Sequence, residues 1–64
     1  MTGTIARTVQ DKRFGFIKGE NGKEYFFHQS CLKNISFDQL EIGRDVTFED
    51  VETDKGWRAE DIYV

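Results

Sequence analysis

Short stretches of alternating apolar and polar residues, separated by turn-forming residues, run the length of the chain and predict an all-β protein without a clear helix. Thr2–Val9, with Ile5 and β-branched neighbours, reads as a first strand, and the polar run Gln10, Asp11, Lys12 breaks it. Residues 13–18 form a second strand and residues 23–28 a third. Between these two lie Glu20, Asn21, Gly22 and Lys23. Asn-Gly between apolar runs is the strongest short-range hairpin signal. Residues 29–34 suit a short helical turn, with Ser30 as its cap and Cys31 and Leu32 facing inward. A longer connection over residues 35–42 carries Phe37 and Leu40 and ends at Gly43. Residues 44–51 set Val46, Phe48 and Val51 against Asp45, Thr47, Glu49 and Asp50 as a fourth strand. Asp54, Lys55 and Gly56 then turn the chain into a fifth strand over residues 57–64.

Five short strands in 64 residues predict one domain, residues 1–64, folded as a closed or nearly closed barrel. Closure removes the exposed edges that an open sheet of this size would carry. The core is small and intrinsic stability marginal. The long connection falls between strands three and four. A five-stranded antiparallel oligonucleotide-binding (OB) barrel carries its extra segment there, whereas an SH3-like barrel has its long loops earlier; placement favours the first without deciding it.

Two segments concentrate the aromatic residues: Arg13-Phe14-Gly15-Phe16-Ile17 and Tyr25-Phe26-Phe27-His28. Residues two apart on a strand share a face. Ile17 belongs in a core, and Gly15 lets the inner side close where a barrel bends. Phe14 and Phe16 then face outward. His28 belongs outside as well, because burying an imidazole requires a partner that the sequence does not supply. Its strand-mate Phe26 follows it, leaving Tyr25 and Phe27 inside. On periodicity alone the inverse assignment, with these Phe in the core, stays open.

An exposed patch of Phe14, Phe16, Phe26 and His28, flanked by Arg7, Lys12, Arg13 and Lys18, calls for a use, since contiguous exposed aromatics are rare on soluble monomers. Flat rings in a basic setting suit single-stranded nucleic acid, whose bases stack on the rings while Lys and Arg track the phosphates. The net charge of -3 argues the other way. Its distribution matters more than its sum. Residues 1–33 hold six basic and three acidic side chains, residues 34–64 three basic and nine acidic, so the aromatic segments sit in the basic half.

Other chemistry finds little support. His28 and Cys31 are three apart, but a zinc site needs three or four ligands and the chain has no further His or Cys. Cys31 reads as a small buried hydrophobe. No nucleophile–base pair, phosphate-binding loop or cofactor motif is visible, so neither an enzyme, a cofactor nor a small-molecule substrate is expected. No apolar run approaches the ~20 residues of a membrane span, and no leader is evident. A lone Cys fits a reducing, cytoplasmic setting.

At these residues the chain resembles the cold-shock domain family. The segment from Lys12 to Ile17 resembles the family's first ribonucleoprotein-type motif, usually Lys-Gly-Phe-Gly-Phe-Ile, with Arg13 where Gly is usual. Tyr25-Phe26-Phe27-His28 is similar to the second, usually Val-Phe-Val-His-Phe, with Ser30 matching the Ser that follows. Thr2-Gly3-Thr4-Ile5, Leu40-Glu41-Ile42-Gly43 and the segment from Gly56 to Ile62 extend the likeness over nearly the whole chain. The resemblance implies a five-stranded OB barrel that binds single-stranded RNA or DNA, and it supports the outward assignment of Phe14, Phe16, Phe26 and His28.

The departures weaken the expected platform. The family's first strand usually ends Lys-Trp-Phe-Asn, where this chain has Arg7-Thr8-Val9-Gln10, so the Trp has become Thr8 or is absent. Gln29 stands in place of the aromatic after the motif His. Losing two rings costs roughly 2–6 kcal/mol of binding unless something replaces them. Phe37 sits where the family often has another base-contacting aromatic. Trp57 has no usual aromatic counterpart and reads equally as a relocated platform or as a cap on the barrel end. The sequence therefore predicts an RNA-chaperone-like protein with low base preference. The runner-up is a protein-interaction module on the same barrel, with a protein partner and weakened nucleic acid binding.

Overall fold

A computed structural model describes residues 1–64. Five strands form the barrel: β1 (Thr2–Val9), β2 (Phe14–Gly19), β3 (Glu24–His28), β4 (Asp45–Thr53) and β5 (Gly56–Tyr63). They close in the order β1-β2-β3-β5-β4, with β4 returning to β1. Three short 3-10 turns, Gln10–Lys12, Gln29–Cys31 and Phe37–Gln39, fill the connections.

The sheet is mixed, where a purely antiparallel barrel was expected. Four of the seams are antiparallel, and β3 meets β5 in parallel through the pair Phe26 and Arg58. Topology requires this. An odd number of strands cannot alternate direction around a closed ring, so at least one neighbouring pair must run the same way.

Two bulges adjust the alternation. The β1–β2 register shifts between Ile5 and Arg7, which leaves Ala6 unpaired with β2. The β4–β5 register shifts between Thr47 and Glu49, opposite Asp61, whose φ of 49° is left-handed. An extra residue in the left-handed conformation is how a strand takes up such a shift. Ala59 and Ile62 are therefore both fully buried although they lie three apart.

Ile5, Ile17, Tyr25, Phe27 and Ile62, each at most 1% exposed, are the centre of one apolar cluster. Each such side chain contributes roughly 1.5–3 kcal/mol. The β2–β3 turn is held by Asn21, whose Oδ1 accepts from the Lys23 N–H (3.0 Å) and whose Nδ2 donates to the Tyr25 hydroxyl (2.9 Å). That second bond satisfies the only polar atom on the buried Tyr25 side chain. The turn after β3 is capped by His28 rather than by Ser30: the Ser30 N–H donates to His28 Nδ1 at 3.2 Å. Cys31 is buried and Leu32 half-buried, as the inward assignment requires.

Candidate nucleic-acid interface

The β2–β3 register sets the site. Phe14 pairs with His28 and Phe16 with Phe26, while Gly15 pairs with Phe27 and Ile17 with Tyr25. Ile17, Tyr25 and Phe27 are at most 1% exposed, so the even-numbered row faces outward and the inverse assignment is excluded. Gly15 makes this packing feasible. A Cβ there would lie 2.5 Å from the Arg7 carbonyl oxygen and 2.9 Å from the Phe27 ring. Only a residue without a side chain lets β1 and Phe27 approach so closely.

On the outer face three rings form one cluster. The centroids of Phe14 and Phe26 lie 5.3 Å apart, those of Phe16 and Phe26 5.9 Å, and those of Phe14 and Phe16 6.0 Å at an 87° tilt. These are the offset and edge-on arrangements that ring quadrupoles favour. Phe26 is 36% exposed, and Phe14 and Phe16 are half-buried. His28 borders the cluster, half-buried, opposite Phe14. Its Nδ1 accepts the Ser30 N–H, so a neutral ring carries its proton on Nε2 as a donor.

The bulge at Ala6 places Arg7 opposite Phe16, with its guanidinium 4.6 Å from the ring centroid. Thr8, opposite Gly15, is half-buried. The residue beside the Phe16 ring is thus Arg7 and not Thr8, and it presents a planar guanidinium on the outer face. Lys12 is exposed at the end of the first 3-10 turn. Arg13 closes that turn in the left-handed conformation (φ 58°, ψ 40°), a position that suits Gly. Its guanidinium pairs with Asp38 and lies 5.9 Å from the Phe37 centroid. Lys18 is exposed at the far end of the row and borders a separate groove with Thr2, Thr4, Asp45 and Tyr63.

Of the two further aromatics, Phe37 differs from expectation. Phe37 is 3% exposed and packs on Phe27 with centroids 6.2 Å apart, so it belongs to the core and offers no open face. The Phe37–Gln39 turn, fixed by Ser36 Oγ donating to Gln39 Oε1 (3.1 Å), directs it inward, and Arg13 covers it. Trp57 is half-buried, edge-on to Tyr25 at 6.1 Å, and packs against the apolar core. It also borders a groove with Phe16, Phe26, Thr53, Lys55 and Arg58. Lys55 and Arg58 were missed in the sequence, because only the β3–β5 seam brings Arg58 beside Phe26.

The arrangement is a hydrocarbon platform rimmed by cations, suited to stacking flat rings whose backbone is anionic. No helix is long and apolar enough to cross a membrane.

Comparison with known proteins gives the same direction. The family described as 'Cold-shock' DNA-binding domain matches residues 1–64. The chain is 38% identical over 60 residues to Cold shock protein 1 of Lactiplantibacillus plantarum, covering 94% of this chain and 91% of that one. It is 39% identical over 61 residues to Cold shock-like protein CspLB of Listeria monocytogenes, covering 95% and 92%. Cold shock protein CapB of Pseudomonas fragi is 33% identical over 63 residues, covering 98% and 91%. The chain belongs to the cold-shock domain family, a nucleic-acid-binding family.

Proposed function

We propose that this cold-shock domain binds single-stranded RNA or DNA by stacking bases on Phe14, Phe16 and Phe26, and that it acts as an RNA chaperone with little base preference. The observation that carries the reading is the outward three-ring cluster, since an apolar surface of this kind has no role in the core beneath it. Each stacked base contributes roughly 1–3 kcal/mol, and every base has a π-face, so stacking tolerates sequence. Bases held on protein rings are withheld from pairing with one another, which is the chaperone action.

In this reading the Arg7 guanidinium extends the Phe16 platform as a flat cation, and His28 offers a donor to a base edge or phosphate. Lys12 and Lys18 follow the backbone at the two ends of the row. Arg13 contributes less than its charge implies, because Asp38 neutralises it. Phe37 takes no part, being buried, and Trp57 marks the border of the surface. With a net charge of -3, binding is modest and falls steeply with salt.

Titration with labelled single-stranded RNA and DNA, read by amide shifts across residues 13–28, tests the proposal. Shifts centred on Phe14, Phe16, Phe26 and His28 are expected, along with an affinity that falls as salt rises. Unmoved amides at high protein concentration would refute it and favour a protein partner for the same face.

A further inference from the structure

The groove beyond Phe16 and Phe26 draws on both halves of the chain. Phe16 and Phe26 form one wall, and Thr53, Lys55, Trp57 and Arg58 of the β4–β5 hairpin form the other, around a volume of about 490 Å³. Clefts for small ligands run roughly 300–1,000 Å³, so a nucleoside fits. The chemistry of the lining is selective. It contains three aromatic side chains, two cations and no carboxylate, although acidic residues outnumber basic ones nine to three over residues 34–64. A third cation stands near, with Lys23 Nζ 5.5 Å from the Trp57 ring. Arg58 turns part of its guanidinium inward: Nη2 meets Cys31 Sγ at 3.7 Å and the buried Nε faces Glu60 at 3.3 Å without making a hydrogen bond, while Nη1 has no protein partner.

We infer that this groove takes one further nucleotide of the bound single strand, its base against the Phe16–Phe26–Trp57 wall and its phosphate on Lys55 and Arg58. The inference rests on the stacking function proposed above and extends it. Continuity is the argument for the occupant. Phe16 and Phe26 belong both to the three-ring cluster and to the groove, so a strand leaving Phe14 across Phe26 meets the hairpin without leaving the shared rings. An uncharged apolar partner would leave Lys55 unmatched, whereas a polyanion satisfies it and competes with Glu60 for Arg58. The hairpin thereby gives the acidic half of the chain a share in binding.

Trp57 is the only Trp, so its emission and its indole Nε1–H resonance are unambiguous signals from one wall of this groove. Oligothymidylates of increasing length are titrated into the protein while the amides of residues 14–28 are followed in the same samples. Short oligomers should shift the amides only. Longer ones should also quench Trp57 and move the indole resonance. Lys55→Gln should lower the slope of log K against log salt by about 0.7 for long oligomers, the value of one phosphate contact on a single strand, and leave short ones unchanged. Saturating long oligomer that shifts the Phe16 and Phe26 amides while Trp57 stays unchanged would overturn the inference and leave the stacking function standing. Unchanged amides and unchanged Trp57 together would overturn both.

Discussion

Arg13 is held in the left-handed conformation while its guanidinium is ion-paired with Asp38, 25 residues along the chain. The backbone geometry costs an L-residue about 1–2 kcal/mol, and the pair, with side chains 43% and 70% exposed, returns no more than about 1 kcal/mol. Arg13→Gly removes the strain with the contact, whereas Arg13→Ala keeps the strain and loses the contact. The Gly variant should therefore exceed the Ala variant by about 1 kcal/mol in urea denaturation. Equal stabilities would show that the backbone there is unstrained.

Asp38→Asn releases the same guanidinium toward a ligand. Oligonucleotide affinity should rise, and the salt slope should steepen by about 0.7 for the added phosphate contact. An affinity unchanged or reduced in the variant would mean that Arg13 does not reach the strand.

The outer and inner rings should separate in function and stability. Phe16→Ala and Phe26→Ala should each weaken oligonucleotide binding roughly 5- to 150-fold with little loss of Tm. Phe27→Ala, at a position 0% exposed, removes a core ring and should cost about 3–5 kcal/mol, enough to unfold most of a small domain. Thermal denaturation beside binding isotherms separates the two classes.

The Arg7 guanidinium lies over the Phe16 ring, 4.6 Å from its centroid, so shape and charge are separable there. Arg7→Lys keeps the charge and loses the plane. If the guanidinium acts as a stacking surface, the variant loses affinity without a change in salt slope. A variant indistinguishable from the parent would reduce Arg7 to a point charge.

Glu20 gives the fold a small acid sensitivity. Its Oε1 accepts the Thr2 N–H and the Thr2 hydroxyl, each at 3.0 Å, and these bonds hold the carboxyl below its ordinary value of 4.5. The folded form thus loses its proton more readily than the unfolded one. Its contribution is complete above the usual carboxylate range and disappears as pH falls through the lowered folded value. Glu20→Gln should flatten the acid limb of a Tm-against-pH curve; an identical limb would remove Glu20 from the account.

What the sequence disclosed was local. Gly15 and Ile17 against Phe14 and Phe16, and Tyr25 and Phe27 against Phe26 and His28, fixed both faces of the hairpin because strand period and burial agree there. Non-local relations stayed hidden. The parallel meeting of Phe26 with Arg58 depends on closing the ring, and nothing near either residue signals it. The bulge at Ala6 moved the outer row from Thr8 to Arg7, a one-residue slip that composition does not record. Phe37 was expected to meet bases because the family often has a base-contacting aromatic there, but the turn that Ser36 and Gln39 hold points it into the core.

β3 and β5 meet through the single pair Phe26 and Arg58, whereas β1–β2 and β4–β5 pair along most of their length. Local opening begins where pairing is thinnest, and this seam runs through the groove assigned to the strand. A ligand spanning both strands binds only the closed barrel, and it stabilises that state by RT ln(1 + [L]/Kd). Nucleic acid would then act as a clasp on the barrel's loosest join. The protein's resistance to unfolding, and with it its lifetime against proteases, would follow how much single-stranded nucleic acid surrounds it.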